Sequence, residues 1–163
     1  MLKKTLLASL LLTASVGAFA QSTSTPTKAT AAPAPALTAQ QKAQITQQNQ
    51  QMAQTSLQIA RMVDNGQTGQ VWDRASTVAK QSSSRADFID QITADRAKLG
   101  TAGERKLAAI TRTQSKGGKV PAGLYINVSY ATQFSQGKQP VRELISHHLD
   151  TDRVWRLAGY TVR

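Results

Sequence analysis

The chain has 163 residues, 20 Lys and Arg against 9 Asp and Glu (a formal charge of +11), and no cysteine. Disulfides, thiolate metal ligands and cysteine nucleophiles are therefore excluded, and the fold must be held by its core. The length suits one domain with one core, and the basic balance suits either an anionic partner or simply a solvated basic face that keeps the protein soluble.

Residues 1–20 read as a cleavable signal peptide. Lys3 and Lys4 form a positive start, Leu6 to Leu12 begin an apolar stretch that continues to Val16, and Ala18-Phe19-Ala20 is a small-x-small cleavage site. The apolar stretch is too short for a membrane span. Export to a periplasm is expected, with the mature chain starting at Gln21. In that compartment the anions are lipid headgroups, cell-wall carboxylates and acidic proteins, so nucleic acid is not an expected partner. Residues 21–37, QSTSTPTKATAAPAPAL, hold no large apolar residue before Leu37 and read as a disordered Ser/Thr/Ala/Pro-rich tether. Residues 38–163 then form a single α+β domain.

Thr38 is placed to cap a helix running to about Asp64. Ile45, Met52, Ile59 and Val63 share one face of it, while its first half is polar nearly all round. Asn65-Gly66 stops that helix. Val71, Trp72, Ala75, Val78 and Ala79 predict a short second helix, broken at Ser82 to Ser84. Ser84 and Asp87 open a third as a capping-box-like pair, with Phe88, Ile89 and Ile92 as its apolar stripe and Leu99-Gly100 as its end.

Beyond Gly100 the period changes from 3.6 to 2. Glu104 to Gln114 is a weak first strand, and the alternation around Leu124 to Ala131 is a strong second one. Val141 to Leu149 and Val154 to Val162 follow. Helices first and strands after predict an α+β fold: N-terminal helices packed on a four-stranded antiparallel meander. Element order is similar to that of cystatin-like and NTF2-like rolls.

A set of residues carries a more specific likeness: Asp64-x-Gly66, Trp72, Ala75-Ser76, Arg96, Leu99-Gly100, Arg105, Pro121-x-Gly123-x-Tyr125, Tyr130, Phe134, Glu143 and the ending Trp155-Arg156-x-Ala158-Gly159-Tyr160. The chain resembles, over about Met52 to Arg163, the bacterial domain of unknown function, family 4019, whose members are small exported proteins ending in a W-R-x-A-G-Y-like strand. That resemblance implies a fold and no activity. Family members often carry Asp-Gly in the last turn, where this chain has Asp150-Thr151-Asp152-Arg153.

Catalytic patterns are absent from the sequence. His147 and His148 are adjacent on a strand and face opposite sides, so they do not suit one metal ion. Glu143 and His147 share a face but stand about 13 Å apart along it. There is no G-x-S-x-G and no P-loop spacing. No catalytic residue, metal site or cofactor is expected.

The strand faces are more informative. With Thr151-Asp152 as the tip of a two-residue hairpin, His148 lies opposite Trp155, His147 opposite Arg156, and Glu143 opposite Tyr160. Val141, Ile145, Leu149, Val154, Ala158, Tyr160 and Val162 then share one face, and Leu144, Trp155 and Leu157 the other. Trp155 and Tyr160 fall on opposite faces. Two partly apolar faces require a second cover: a ligand, a partner, another copy in a homodimer, or the sheet's own curvature. The leading expectation is a noncatalytic exported domain that binds a partner protein or a small apolar ligand through Glu143, His147, Trp155 and Tyr160. The bland alternative makes Trp155 and Trp72 core and Glu143 and Arg156 cross-strand polar pairs. A second expectation is a basic adaptor that touches an envelope protein, anionic lipid or cell-wall polymer through Arg96, Lys98, Arg105, Lys106 and Arg112. A third is a hydrolase on an NTF2-like pocket.

Overall fold

In the computed structural model, residues 36–163 are described. The expected signal peptide and nearly all of the expected tether lie outside these residues. Helix α1 (Ala39–Asp64) starts as expected: Thr38 and Gln41 form a reciprocal capping box. Its buried face is Met52, Ser56, Ala60 and Val63, with Ile45 and Ile59 only half-buried. Ser56 and Ala60 are fully buried. Small side chains there let the helix backbone approach the sheet, so the line of contact does not follow the large apolar residues.

The single second helix is in fact two, α2 (Thr68–Asp73) and α3 (Thr77–Ser82). Ser76 is the reason. Its hydroxyl caps α3 by accepting from the Ala79 amide, and its own amide donates to the Leu157 carbonyl on the last strand. A residue that latches onto a strand edge cannot also continue a helix. Helix α4 (Arg85–Ala97) begins at the expected Ser84–Asp87 capping box.

Four strands follow: β1 (Ala102–Ser115), β2 (Gly123–Phe134), β3 (Val141–Leu149) and β4 (Trp155–Val162). They form an antiparallel meander in the order β1-β2-β3-β4, so the fold is α+β as expected. Helix α1 packs over β1 and β2, while α3 and α4 pack against β4. The core gathers Met52, Ala60, Val63, Trp72 and Ile92 from the helices with Ile126, Val128, Tyr130, Phe134, Ile145, Leu157, Tyr160 and Val162 from the sheet.

The β3–β4 pairing corrects the expected hairpin. Leu149 pairs with Trp155, His148 with Arg156 and His147 with Leu157, one residue out of the expected register. The loop is longer than two residues: the Asp150 amide donates to Val154, the Arg153 amide donates to Asp150, and Arg153 takes a φ of 64°. The register then slips again between Ser146 and His147, where Ala158 is extra, so that Ile145 faces Tyr160 and Glu143 faces Val162. This bulge brings Trp155 and Leu157 onto the same side of the sheet as Tyr160 and Val162. The expected split of Trp155 and Tyr160 between two faces is therefore wrong, and the second apolar face is largely dissolved.

Much of what remains on that outer face is polar and hydrogen-bonded within the chain. Asn127 bonds Thr113, Arg142 bonds Ser129, and the Tyr125 hydroxyl donates to the Pro121 carbonyl. His148 packs its ring against Tyr125 and shares a hydrogen bond of 2.8 Å with Asp150. Gly123, at φ 150°, makes room for it: a Cβ there would lie 2.2 Å from His148 Nε2.

Candidate functional site

Charged and hydroxyl side chains from six elements meet where α1 ends. Glu143 on β3 is fully buried. Arg105 on β1 donates to it through Nε at 2.6 Å and Nη2 at 3.2 Å, Thr132 on β2 donates at 2.7 Å, and the Tyr160 hydroxyl on β4 donates to Oε1. Arg105 also grips Asp64, the last residue of α1, at 2.7 and 2.9 Å. Arg96 on α4 donates to Asp64 and, at 2.9 Å, to Tyr160 Oη, with its guanidinium over the Phe134 ring.

Two acids and two guanidiniums thus cancel. Partial burial pushes the Asp64 carboxyl up, but Arg105 and Arg96 outweigh it and hold it below the ordinary carboxylate range. Burial raises the Tyr160 hydroxyl well above the usual phenol range, and the neighbouring Glu143 carboxylate adds to this. Glu143 accepts four hydrogen bonds, which fills the capacity of a carboxylate. The cluster is a clamp that fastens α1, α4 and all four strands.

The four residues expected to contact a ligand do not form one pocket. Glu143 and Tyr160 meet in the clamp, and neither reaches the surface. His147 lies deeper under α1, fully buried, with Nε2 at 2.7 Å from Ser56 Oγ and no partner for Nδ1. A serine and a histidine therefore meet, but no carboxylate orients the ring and both are sealed from solvent. Burial depresses the His147 pKa to about 4. Trp155 is half-buried and lines a groove of about 360 Å³ with Gln48, Arg112, Leu124 and Tyr125. A histidine and a carboxylate do meet at His148 and Asp150, where Arg156 also bonds Asp150, but His148 Nε2 is closed off by the Gly123 backbone.

The five expected surface cations divide. Arg96 and Arg105 are neutralised in the clamp. Lys98, Lys106 and Arg112 are exposed; Lys106 lies 3.5 Å from Glu104, and Arg112 donates to Gln48.

The sequence reading missed the open side of the sheet. Thr46, Asn49, Gln50, Ala53 and Gln54 of α1 form one wall of a groove of about 340 Å³, and Leu107 and Ile110 of β1 form its floor. Leu107 is 50 % exposed. A second bulge, between Leu107 and Ala109, turns Leu107 and Ile110 to the same side although they are three apart. That broken alternation was the available signal, and it made the strand look merely weak. The largest cleft, about 640 Å³, lies elsewhere, between the α1–α2 turn and α4; its two arginines, Arg85 and Arg96, are already paired with Asp73 and Asp64.

A family model described as "Protein of unknown function (DUF4019)" matches residues 55–160, which include all the clamp residues. No curated protein and no solved structure matches the chain, so the comparison with cystatin-like and NTF2-like rolls stays one of element order.

Proposed function

The chain belongs to the DUF4019 family of proteins of unknown function, and from its open β1 side we propose that it is an exported, noncatalytic domain that docks an acidic segment of a partner protein. The observation that carries this reading is the groove between α1 and β1. Here Leu107 stands half-exposed and Ile110 is only partly buried, beside a free strand edge. Exposed apolar surface rimmed by polar groups is the usual mark of an interaction site.

Charge supports the acidic character of the partner. Among the described residues 17 Lys and Arg stand against 9 Asp and Glu, a formal +8. Around the groove and the following loop, Lys106, Arg112, Lys116 and Lys119 are exposed, with Glu104 as the nearby exposed acid. The titratable groups with the most developed interactions are spent on one another in the clamp, Arg96 included although it lines the large cleft, which favours binding over catalysis. Export rests on the N-terminal sequence, and N-terminal sequencing of the secreted or periplasmic product should begin at Gln21; a product retaining residues 1–20 contradicts it.

Docking is tested in the producing cells with a photo-crosslinking residue at position 107 and, as control, at the exposed Lys138. The expected result is a discrete adduct from position 107, absent from 138 and lost when Lys106 and Arg112 are changed to Glu. Equal labelling at both positions, or none at 107, overturns the reading.

A further inference from the structure

The two walls of the groove are chemically unlike, and together they suit an extended chain. We propose that the docked segment is a β-strand that adds to β1 as a fifth strand along Ala109–Ser115, placing an apolar residue over Leu107 and Ile110 and acidic residues beside Arg112, Lys116 and Lys119. This inference rests on the docking reading above and specifies its mode.

One wall is backbone. Among the described residues β1 pairs with β2 alone, which leaves its outer N–H and C=O groups free. From Ala109 to Ser115 its register with β2 is unbroken, seven residues of regular strand, which is about the length of an ordinary strand. The other wall is side-chain amide and hydroxyl: Thr46, Asn49, Gln50 and Gln54, on one face of α1. An amide offers both donor and acceptor, so it can bond an extended backbone whatever its sequence. Among the described residues no donor reaches Asn49 Oδ1, which is buried. A helix placed in the groove would fill the apolar floor but leave the β1 edge unpaired. An added strand satisfies both, which is the physical basis of strand addition as a recognition mode.

The occupant is argued by charge. A second copy of β1 would bring the same Lys106, Arg112, Lys116 and Lys119 against themselves. The bulge at Ala108 and the cationic edge are also devices that oppose self-pairing. Residues 21–35 of this chain do not fit either: they contain Pro26, Pro33 and Pro35, which lack an N–H, no acid, no large apolar residue, and a further Lys28. Ile110 and Arg112 share a face of β1, so a segment of another protein with apolar residues at the Leu107–Ile110 end and acids at the Arg112–Lys119 end meets every requirement.

The test uses the full chain, isotope-labelled, with three synthetic peptides: a Val–Glu peptide with valines at one end and glutamates at the other, a Val–Lys peptide of the same pattern, and the Val–Glu peptide N-methylated on alternate residues. The Val–Glu peptide should bind, shift the Ile110 methyl resonances, and slow exchange of the outward amides in Ala109–Ser115 about tenfold or more. The Val–Lys peptide should not bind, and N-methylation should weaken binding about tenfold or more, since each methyl removes a ladder hydrogen bond. Binding that leaves these amides unprotected, or that ignores N-methylation, overturns the inference. So does failure of every peptide to bind. In that case a position-107 crosslink in cells would still uphold docking, so the two failures are distinguishable. A chain that sediments as a dimer, with Ala109–Ser115 already protected before peptide is added, overturns it in favour of a second copy.

Discussion

Glu143 shows how one buried side chain can set the cost of the whole arrangement. It is fully buried and holds Arg105, whose side chain is only 6 % exposed. Removing one partner of such a pair leaves an uncompensated buried charge. Glu143→Ala should therefore lower stability by about 3–5 kcal/mol in urea unfolding; a loss below about 1 kcal/mol would show that solvent reaches Arg105 and that the clamp is slack. His147 makes a separate prediction. Its pKa is about 4 in the fold, against an ordinary value near 6.5 when unfolded. Above pH 6.5 both states are neutral and the group is silent. As pH falls from 6.5 towards 4 the unfolded chain takes up a proton that the fold refuses, so stability is lost across that window, by about 3 kcal/mol at its lower end. Urea midpoints at pH 7 and pH 4.5 should converge in His147→Leu and diverge in the parent chain. The residues of both features were legible as types. Glu143 and Tyr160 were expected to pair across strands, and they do bond, though diagonally: Tyr160 stands opposite Ile145 and its long ring spans the offset. That Ser56 would meet His147 was not legible, because 91 residues separate them and no local period links them.

At the scale of elements, the C-terminal strand carries the main lesson. The run Trp155-Arg156-Leu157-Ala158-Gly159-Tyr160 alternates only until Ala158, and the extra residue there turns Tyr160 inward to the clamp. A strict period of 2 placed Trp155 and Tyr160 apart because it has no way to represent an inserted residue. The hairpin before it is held by Asp152, whose carboxyl the Arg156 guanidinium depresses to about 2, and by Arg153 in the left-handed region. A side chain in that region costs about 1–2 kcal/mol relative to glycine. Arg153 makes no side-chain hydrogen bond or ion pair among the described residues. Arg153→Gly should thus raise stability by about 1 kcal/mol, partly offset by the freedom glycine gains when unfolded. An unchanged or lower urea midpoint would contradict this. Gly123 predicts the opposite sign. It has a positive φ, and an added Cβ would collide with the His148 ring. Gly123→Ala should cost about 2 kcal/mol or more and release the Tyr125–His148 contact, visible as a shift of the Tyr125 ring resonances.

For the molecule as a whole, packing and docking are carried by different residues, so they should separate by mutation. Leu107 is half-exposed and absent from the core. Leu107→Asp should leave the thermal midpoint within a few degrees of the parent, since surface changes fall within about 0.5 kcal/mol, while it abolishes peptide binding and the position-specific crosslink. A large drop in the midpoint would mean that Leu107 belongs to the core and that the groove is closed in solution. By itself the sequence determined the class of fold, the capped starts of α1 and α4, the meander order and the absence of cysteine chemistry. These follow from local rules: cap residues, a period that changes from 3.6 to 2, and turn residues at the breaks. Only the tertiary structure decided the bulges at Ala108 and Ala158, the division of α2 from α3, the fate of the cations and which side of the sheet stays open. Each depends on what lies opposite a residue rather than beside it. Arg96 and Arg105 read like Lys98 and Lys106 along the chain, and only the approach of Asp64 and Glu143 takes them from the surface.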